Sequence, residues 1–279
     1  MKVRGVELHL EDTGGTGPAI AFSHGLLWSA SMWRFQVAAF RDRFRCVAWD
    51  HRGQGRSEVT ESGYDMDTLA EDASALIEQL ALAPVHFVGL SMGGFVGMRV
   101  AARRPELVRS LVLMETAGDA EPWRNVPKYL AMSFLARFVG IRPFVPAVMK
   151  IMFGRTFRSD RDRARAALRA SLAAELRAND LTGMRRALHG VISRKPIDAA
   201  ELARIRVPVL VVSGEEDVAV VPARSMRLAA QIPGAKFVRL PRAGHTSSME
   251  EPAAVNRILG EFWVSAAGAG AAADARTGP

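Results

Sequence analysis

Seven short apolar runs recur along the chain with helix-patterned segments between them, and this alternation limits the fold more than any other feature. The runs are Val6–Leu10, Ala19–Ser23, Phe44–Ala48, Val85–Gly89, Leu111–Glu115, Val207–Ser213 and Lys236–Leu240. Most are continuously apolar, the mark of strands buried on both faces. Strands that alternate with helices specify an α/β architecture with a mostly parallel central sheet and helices on both sides.

One interval breaks the rhythm. From Gly118 to Ile197 only helix-like segments rich in Met, Phe, Arg and Ala occur. With 279 residues, the chain suits one core domain carrying a sizeable insertion. The expected division is a core of residues 1–117 and 200–264, a helical cap or lid of residues 118–199, and a low-complexity Ala/Gly tail of residues 265–279. Within the cap, Ser159 and Asp162 have capping-box spacing, and Leu168, Leu172 and Leu176 fall on one helix face. Met132, Phe134, Met149 and Met152, with Trp28 of the core, are candidates for an apolar substrate pocket; such residues also serve simply to pack a lid.

Composition excludes several function classes. The 37 Lys and Arg against 29 Asp and Glu leave a net charge of +8. No block of like charge appears, and in the densest stretch, "RTFRSDRDRARAALRA", Asp160 and Asp162 are interleaved with the arginines as on a solvated helix face. Nucleic acid is therefore not an expected partner. Cys46 is the only cysteine and lies in the apolar "CVAW", so neither an internal disulfide nor a multi-cysteine metal site is available. No apolar stretch reaches the length of a membrane span, and "MKVRGVELHL" alternates like a strand, not like a signal peptide. A cytoplasmic protein is expected; homo-oligomerisation is left open.

The pentapeptide Gly-Leu-Ser-Met-Gly at 89–93 matches G-x-S-x-G, a pattern that chance supplies in roughly one chain of this length in ten. Its setting is more specific. "PVHFVGLSMGGFVGMRVAARRP" reads as strand, sharp turn and amphipathic helix, which lifts the Ser91 hydroxyl clear of the sheet at a helix N-terminus, with the Met92 amide beside it. A serine nucleophile needs a base, and the base needs an orienting acid. His9, His86 and His189 lie in strands or in the cap and offer no such position. His245 follows the last strand in "LPRAGHTSSMEEP", and "VLVVSGEEDVAVVP" ends the preceding strand with Glu215, Glu216 and Asp217, of which Asp217 is favoured. The order Ser91, Asp217, His245 is that of a nucleophile-elbow hydrolase. A second oxyanion donor is expected from "AIAFSHGLLWSASMW", where Gly25 lets the Leu26 amide approach.

Taken together, "SHGLLWSASMW", "WDHRGQGRS", "VGLSMGG", "SGEEDVAVVP" and "LPRAGHTSSMEEPAAVNRILGEFW" resemble the successive signatures of the α/β-hydrolase superfamily. The bacterial branch with 3-oxoadipate enol-lactonases, cofactor-free haloperoxidase or perhydrolase-type esterases and related carboxylesterases is the most similar. The resemblance covers residues 5–116 and 200–264. It implies Ser91 as nucleophile, Asp217 as acid, His245 as base, the Leu26 and Met92 amides as oxyanion hole, and packing or loop-fixing roles for His51 and Arg52. Two departures narrow it. Dehalogenase and epoxide-hydrolase relatives carry Asp where this chain has Ser91, and carbon-carbon hydrolases usually follow His-Gly with small polar residues, where Leu26, Leu27 and Trp28 stand here.

The expectation is a cofactor-free, metal-free serine hydrolase that cleaves a small carboxylic ester or lactone through an acyl-enzyme on Ser91. The alternatives are perhydrolase, haloperoxidase-type or acyltransfer activity, carbon-carbon bond hydrolysis, and a slow-turnover ligand receptor on the same scaffold.

Overall fold

The apolar runs assemble into one seven-stranded sheet. The structure is a computed structural model that describes residues 1–274. Its strands are β1 (Lys2–Val3), β2 (Val6–Glu7), β3 (Leu10–Asp12), β4 (Ala19–Ser23), β5 (Arg45–Trp49), β6 (Val85–Leu90), β7 (Val108–Met114), β8 (Val209–Gly214) and β9 (Lys236–Leu240). The sheet order is β3-β5-β4-β6-β7-β8-β9, with β3 antiparallel to β5 and every other neighbour parallel. Because side chains alternate across a strand, Ala19 and Ala21 face one apolar cluster while Ile20 and Phe22 face another. All five residues of β4 and all six of β6 and β8 are buried, as continuous apolarity requires.

The first run behaves differently. Val6–Leu10 splits, because Val6 and Glu7 pair with Val3 and Lys2 in a separate hairpin, whereas Leu10 pairs with Trp49 at the edge of the main sheet. A turn at Arg4 and Gly5, both with positive φ (46° and 87°), makes the hairpin.

The helices are α1 (Arg34–Phe40), α2 (Met66–Gln79), α3 (Met92–Arg103), α4 (Val126–Val139), α5 (Val145–Met152), α6 (Arg155–Ser159), α7 (Arg163–Ala178), α8 (Leu181–Ile192), α9 (Ala199–Leu202), α10 (Pro222–Gln231), α11 (Ser247–Glu250) and α12 (Pro252–Asp274). Apolar faces of α2, α3 and α10 cover one side of the sheet, and those of α1 and α12 cover the other. Helices α4 to α9 fill the interval between β7 and β8 that lacks strand patterning. Within it, Asp162 caps α7 by accepting from the Arg165 amide at 3.0 Å, while Ser159 ends α6 and its hydroxyl turns back to the Thr156 carbonyl. The expected capping box is thus a single cap. Leu172 and Leu176 are fully buried and Leu168 partly so, on the expected face.

The tail region divides. Residues 265–274 continue α12, and 275–279 lie outside the described residues. Cys46 is buried, and burial pushes its thiol up to about 12, so it packs as a small apolar group. Among the described residues no helix is long and apolar enough to cross a membrane.

Candidate active site

Ser91 joins β6 to α3 with φ 51° and ψ −108°, backbone that costs a non-glycine residue about 1–3 kcal/mol. The surroundings enforce it: the Ser91 amide donates to the Met114 carbonyl (2.8 Å), and its own carbonyl accepts from the Thr116 hydroxyl (2.9 Å) and the Phe95 amide (3.0 Å). Helix α3 then runs closer to the sheet than side chains permit. A Cβ on Gly93 would collide with the Ser23 carbonyl on β4.

His245 lies in the loop between β9 and α11, with Nδ1 2.8 Å from Asp217 Oδ2. The second Asp217 oxygen accepts from the amides of Ala219 (2.8 Å) and Val220 (3.0 Å), which anchors the carboxylate. An accepting carboxylate places the hydrogen on Nδ1 and leaves Nε2 as the basic nitrogen. The two other acids lie elsewhere: Glu215 is half exposed beside Arg239, and Glu216 accepts from the Thr156 amide (2.7 Å) and hydroxyl (2.6 Å) at the start of α6. Of three consecutive carboxylates, only Asp217 bonds the imidazole.

Ser91, His245 and Leu26 line one cavity of about 120 Å³ between the carboxyl end of the sheet and the inserted helices. The loop carrying Leu26 is locked from beneath. His24 Nε2 accepts from the His51 amide at 2.9 Å, so its Nδ1 donates to the Gly25 carbonyl at 2.7 Å. A side chain on Gly25 would stand 3.0 Å from Leu90 Cδ2 and 3.6 Å from Ser91 Cβ. Leu27, with φ 74°, donates its amide to Gln54 Oε1 at 2.9 Å. Among the described residues, the amides of Leu26 and Met92 make no hydrogen bond. Gln54 also reaches Met92 Sδ through Nε2 (3.6 Å) and so ties the two loops together. Its neighbours are structural. Arg52 pairs bidentately with Asp72 (2.6–2.8 Å), and Asp50 accepts from the Ala30 and Arg56 amides.

A model of the alpha/beta hydrolase fold matches residues 18–252. The chain belongs to the α/β-hydrolase family. It is 31% identical over 245 residues to 3-oxoadipate enol-lactonase 2 of Acinetobacter baylyi, covering 87% of each chain. It is also 31% identical over 266 residues to a protein of Agrobacterium fabrum named as a carbamate hydrolase, RutD, covering 93% of this chain and 99% of that one. The crystal structure of the enol-lactonase from Burkholderia xenovorans superposes with a TM-score of 0.85 at 30% identity, covering 94% of this chain and 98% of that one. This α/β-hydrolase is therefore an enzyme of hydrolytic type.

Three of the expected pocket residues lie outside the cavity of this hydrolase. Trp28 is buried against Phe153 (ring centroids 5.8 Å apart) beneath the site, because the chain turns inward after Leu27. Met149 packs on the apolar cluster under α5, and Phe134 points outward from α4 at 58% exposure. Met132 and Met152 do line the cavity, together with Phe95 of α3 and Met184 of α8. Which face of a helix meets a cavity depends on how the helices cross, and helical spacing alone does not specify that.

Sequence reasoning also passed over two buried acids. The Glu250 carboxylate accepts from the amides of Gly244 (3.0 Å) and Thr246 (3.0 Å), which flank His245, and from Gly154 (2.8 Å) in the insertion. Burial pushes it up to about 7 against the downward pull of those hydrogen bonds. Its signal was present: a glutamate five residues after the histidine, ending the turn of α11. Glu115, at the end of β7 with φ 46°, is fully buried; burial first and the Asp217 charge second hold its carboxyl well above the usual range. Nothing in "LVLMETAG" marks it as different from a surface acid.

Proposed function

We propose that this hydrolase cleaves a small carboxylic ester or lactone through an acyl-enzyme on Ser91. The observation that carries the reading is the His245–Asp217 hydrogen bond at the wall of a cavity that also receives the strained Ser91. In this scheme His245 Nε2 takes the Ser91 proton as Oγ attacks the carbonyl carbon. Asp217 holds the tautomer and stabilises the imidazolium. The unbonded amides of Leu26 and Met92 receive the oxyanion, each donor contributing about 3 kcal/mol to the transition state. His245 then protonates the leaving alcohol, or the ring oxygen of a lactone, and afterwards activates the water that releases the acid.

The substrate class follows from the wall. Leu26, Phe95, Met132, Met152 and Met184 make it largely apolar. A volume of about 120 Å³ is of the order that holds a benzene-sized group. The acyl or ring portion is therefore small and apolar, and larger substrates require the inserted helices, acting as a cap, to move. The enol-lactonase relative supports lactone hydrolysis in particular. We place the enzyme in the cytoplasm.

The test is rapid mixing with a short p-nitrophenyl ester, followed by intact mass measurement. A burst of nitrophenolate with one acyl group on Ser91 is expected, with both lost in Ser91→Ala. Hydrolysis that persists in Ser91→Ala overturns the nucleophile, and a single turnover without a steady state overturns the enzyme in favour of a receptor.

A further inference from the structure

Positive charge is unevenly distributed along the chain. Residues 122–159 contain seven Lys and Arg and no Asp or Glu, while the remainder nets only +1. These cations are spaced among apolar residues, and the fold carries both outward. Of the fourteen residues of α4, only Ala136 is buried. Trp123, just before α4, is 75% exposed, and Phe138, Val139 and Leu135 are 69%, 59% and 50% exposed. Arg124, Lys128, Arg137 and Arg142 are exposed beside them, and among the described residues none makes an ion pair. Arginines of the core are treated otherwise: Arg52, Arg99 and Arg224 each bond a carboxylate.

We propose that the outward face of Trp123 and α4, with the cations of residues 124–142, docks the protein onto an anionic lipid surface. The chemistry matches on both counts. Phe, Trp, Leu and Val enter the boundary between headgroups and acyl chains, and unpaired Lys and Arg meet anionic headgroups. A second copy of the chain would set one acid-free, cationic face against another. Nucleic acid would satisfy the charge and leave the aliphatic Leu135 and Val139 with no matching partner. The inner side of α4, through Tyr129 and Met132, lines the cavity, so one helix would separate the lipid from the site. Docking itself is independent of the reaction at Ser91.

Flotation of the full chain with vesicles tests it. Vesicles of equal parts phosphatidylglycerol and phosphatidylcholine should carry the protein at low salt, pure phosphatidylcholine should not, and added salt should release it. The variant Trp123→Ser/Phe138→Ser and the variant Arg137→Glu/Arg142→Glu should each weaken partitioning by about tenfold or more. Both changes are at exposed sites, so unchanged far-ultraviolet melting curves should accompany the loss. Absence of flotation at low salt, or flotation of either variant equal to that of the parent, overturns the proposal. So does a parent dimer that Phe138→Ser dissociates, or a preference for a single-stranded oligonucleotide over the anionic vesicles.

Discussion

Helices α3 and α4 both contribute to the wall of the same cavity, and α4 is the more apolar of the two. Yet eleven of the twelve residues of α3 are buried and one of the fourteen of α4 is. Helix α3 packs on the sheet beside α2, where Gly93 and Gly94 draw it into contact with β4 and Thr116. Helix α4 has the cavity on one side and, among the described residues, no layer on the other. Apolar composition thus did not decide burial; the number of layers did. Core helix positions are therefore enclosed, while the inserted α4 keeps an open surface.

The sharpest way to break this division is at the acid. Asp217→Asn should lower kcat for an activated ester by about 10⁴-fold, whereas Glu216→Gln, which loosens only the tether to Thr156 in the insertion, should leave kcat within about threefold. A large kcat loss in Glu216→Gln would mean that the insertion shares in the chemistry.

Glu250 joins the two regions, so its removal should register in both. Glu250→Ala leaves three buried amides without an acceptor, each costing about 1–3 kcal/mol. About 4 kcal/mol of stability in urea and about 10²-fold in kcat should be lost together, the latter through displacement of His245. A stability loss with unchanged kcat would show that the His245 loop is held without Glu250, by the bond from the Thr246 hydroxyl to the Met152 carbonyl at 3.0 Å.

Acid should strike the core first. His86, in β6 with Nδ1 2.8 Å from the Ser110 hydroxyl, is pushed from 6.5 down to about 4, chiefly by burial and then by the Arg109 charge. A folded value below the unfolded one contributes stability that is complete above about pH 6.5 and is lost as pH falls through about 4, about 3 kcal/mol in all. Urea titrations at several pH values should show that His86→Asn flattens this segment of the profile; an unchanged slope would assign the acid sensitivity to other groups. The smallest effect belongs to the outer face of α4. Phe138→Ala should change stability by less than about 0.5 kcal/mol, while Phe157→Ala, at a fully buried position of the same insertion, should cost about 4 kcal/mol. Equal losses would mean that Phe138 is covered in solution.

Much of this was legible in the chain. Strands β4 and β9 coincide with their apolar runs, and Ser91 and His245 line one cavity because both follow parallel strands whose carboxyl ends share one edge. The legible features are local: strand periodicity, a glycine-flanked serine, and acid and histidine placed just past strand ends. Trp28, Phe134 and Met149 were misplaced because pocket membership depends on helix crossing, and Glu250 went unnoticed because its three amide partners lie at positions 154, 244 and 246.

By itself, the sequence determined the α/β architecture and the positions of Ser91, Asp217 and His245 just past strand ends, since each rests on patterns within a few neighbouring positions. Only the tertiary structure decided which of three adjacent carboxylates reaches His245, which methionines see the cavity, and that the face of α4 remains uncovered. Those outcomes turn on directions of side chains across elements far apart in the chain, where a rotation of one helix exchanges its inner face for its outer one.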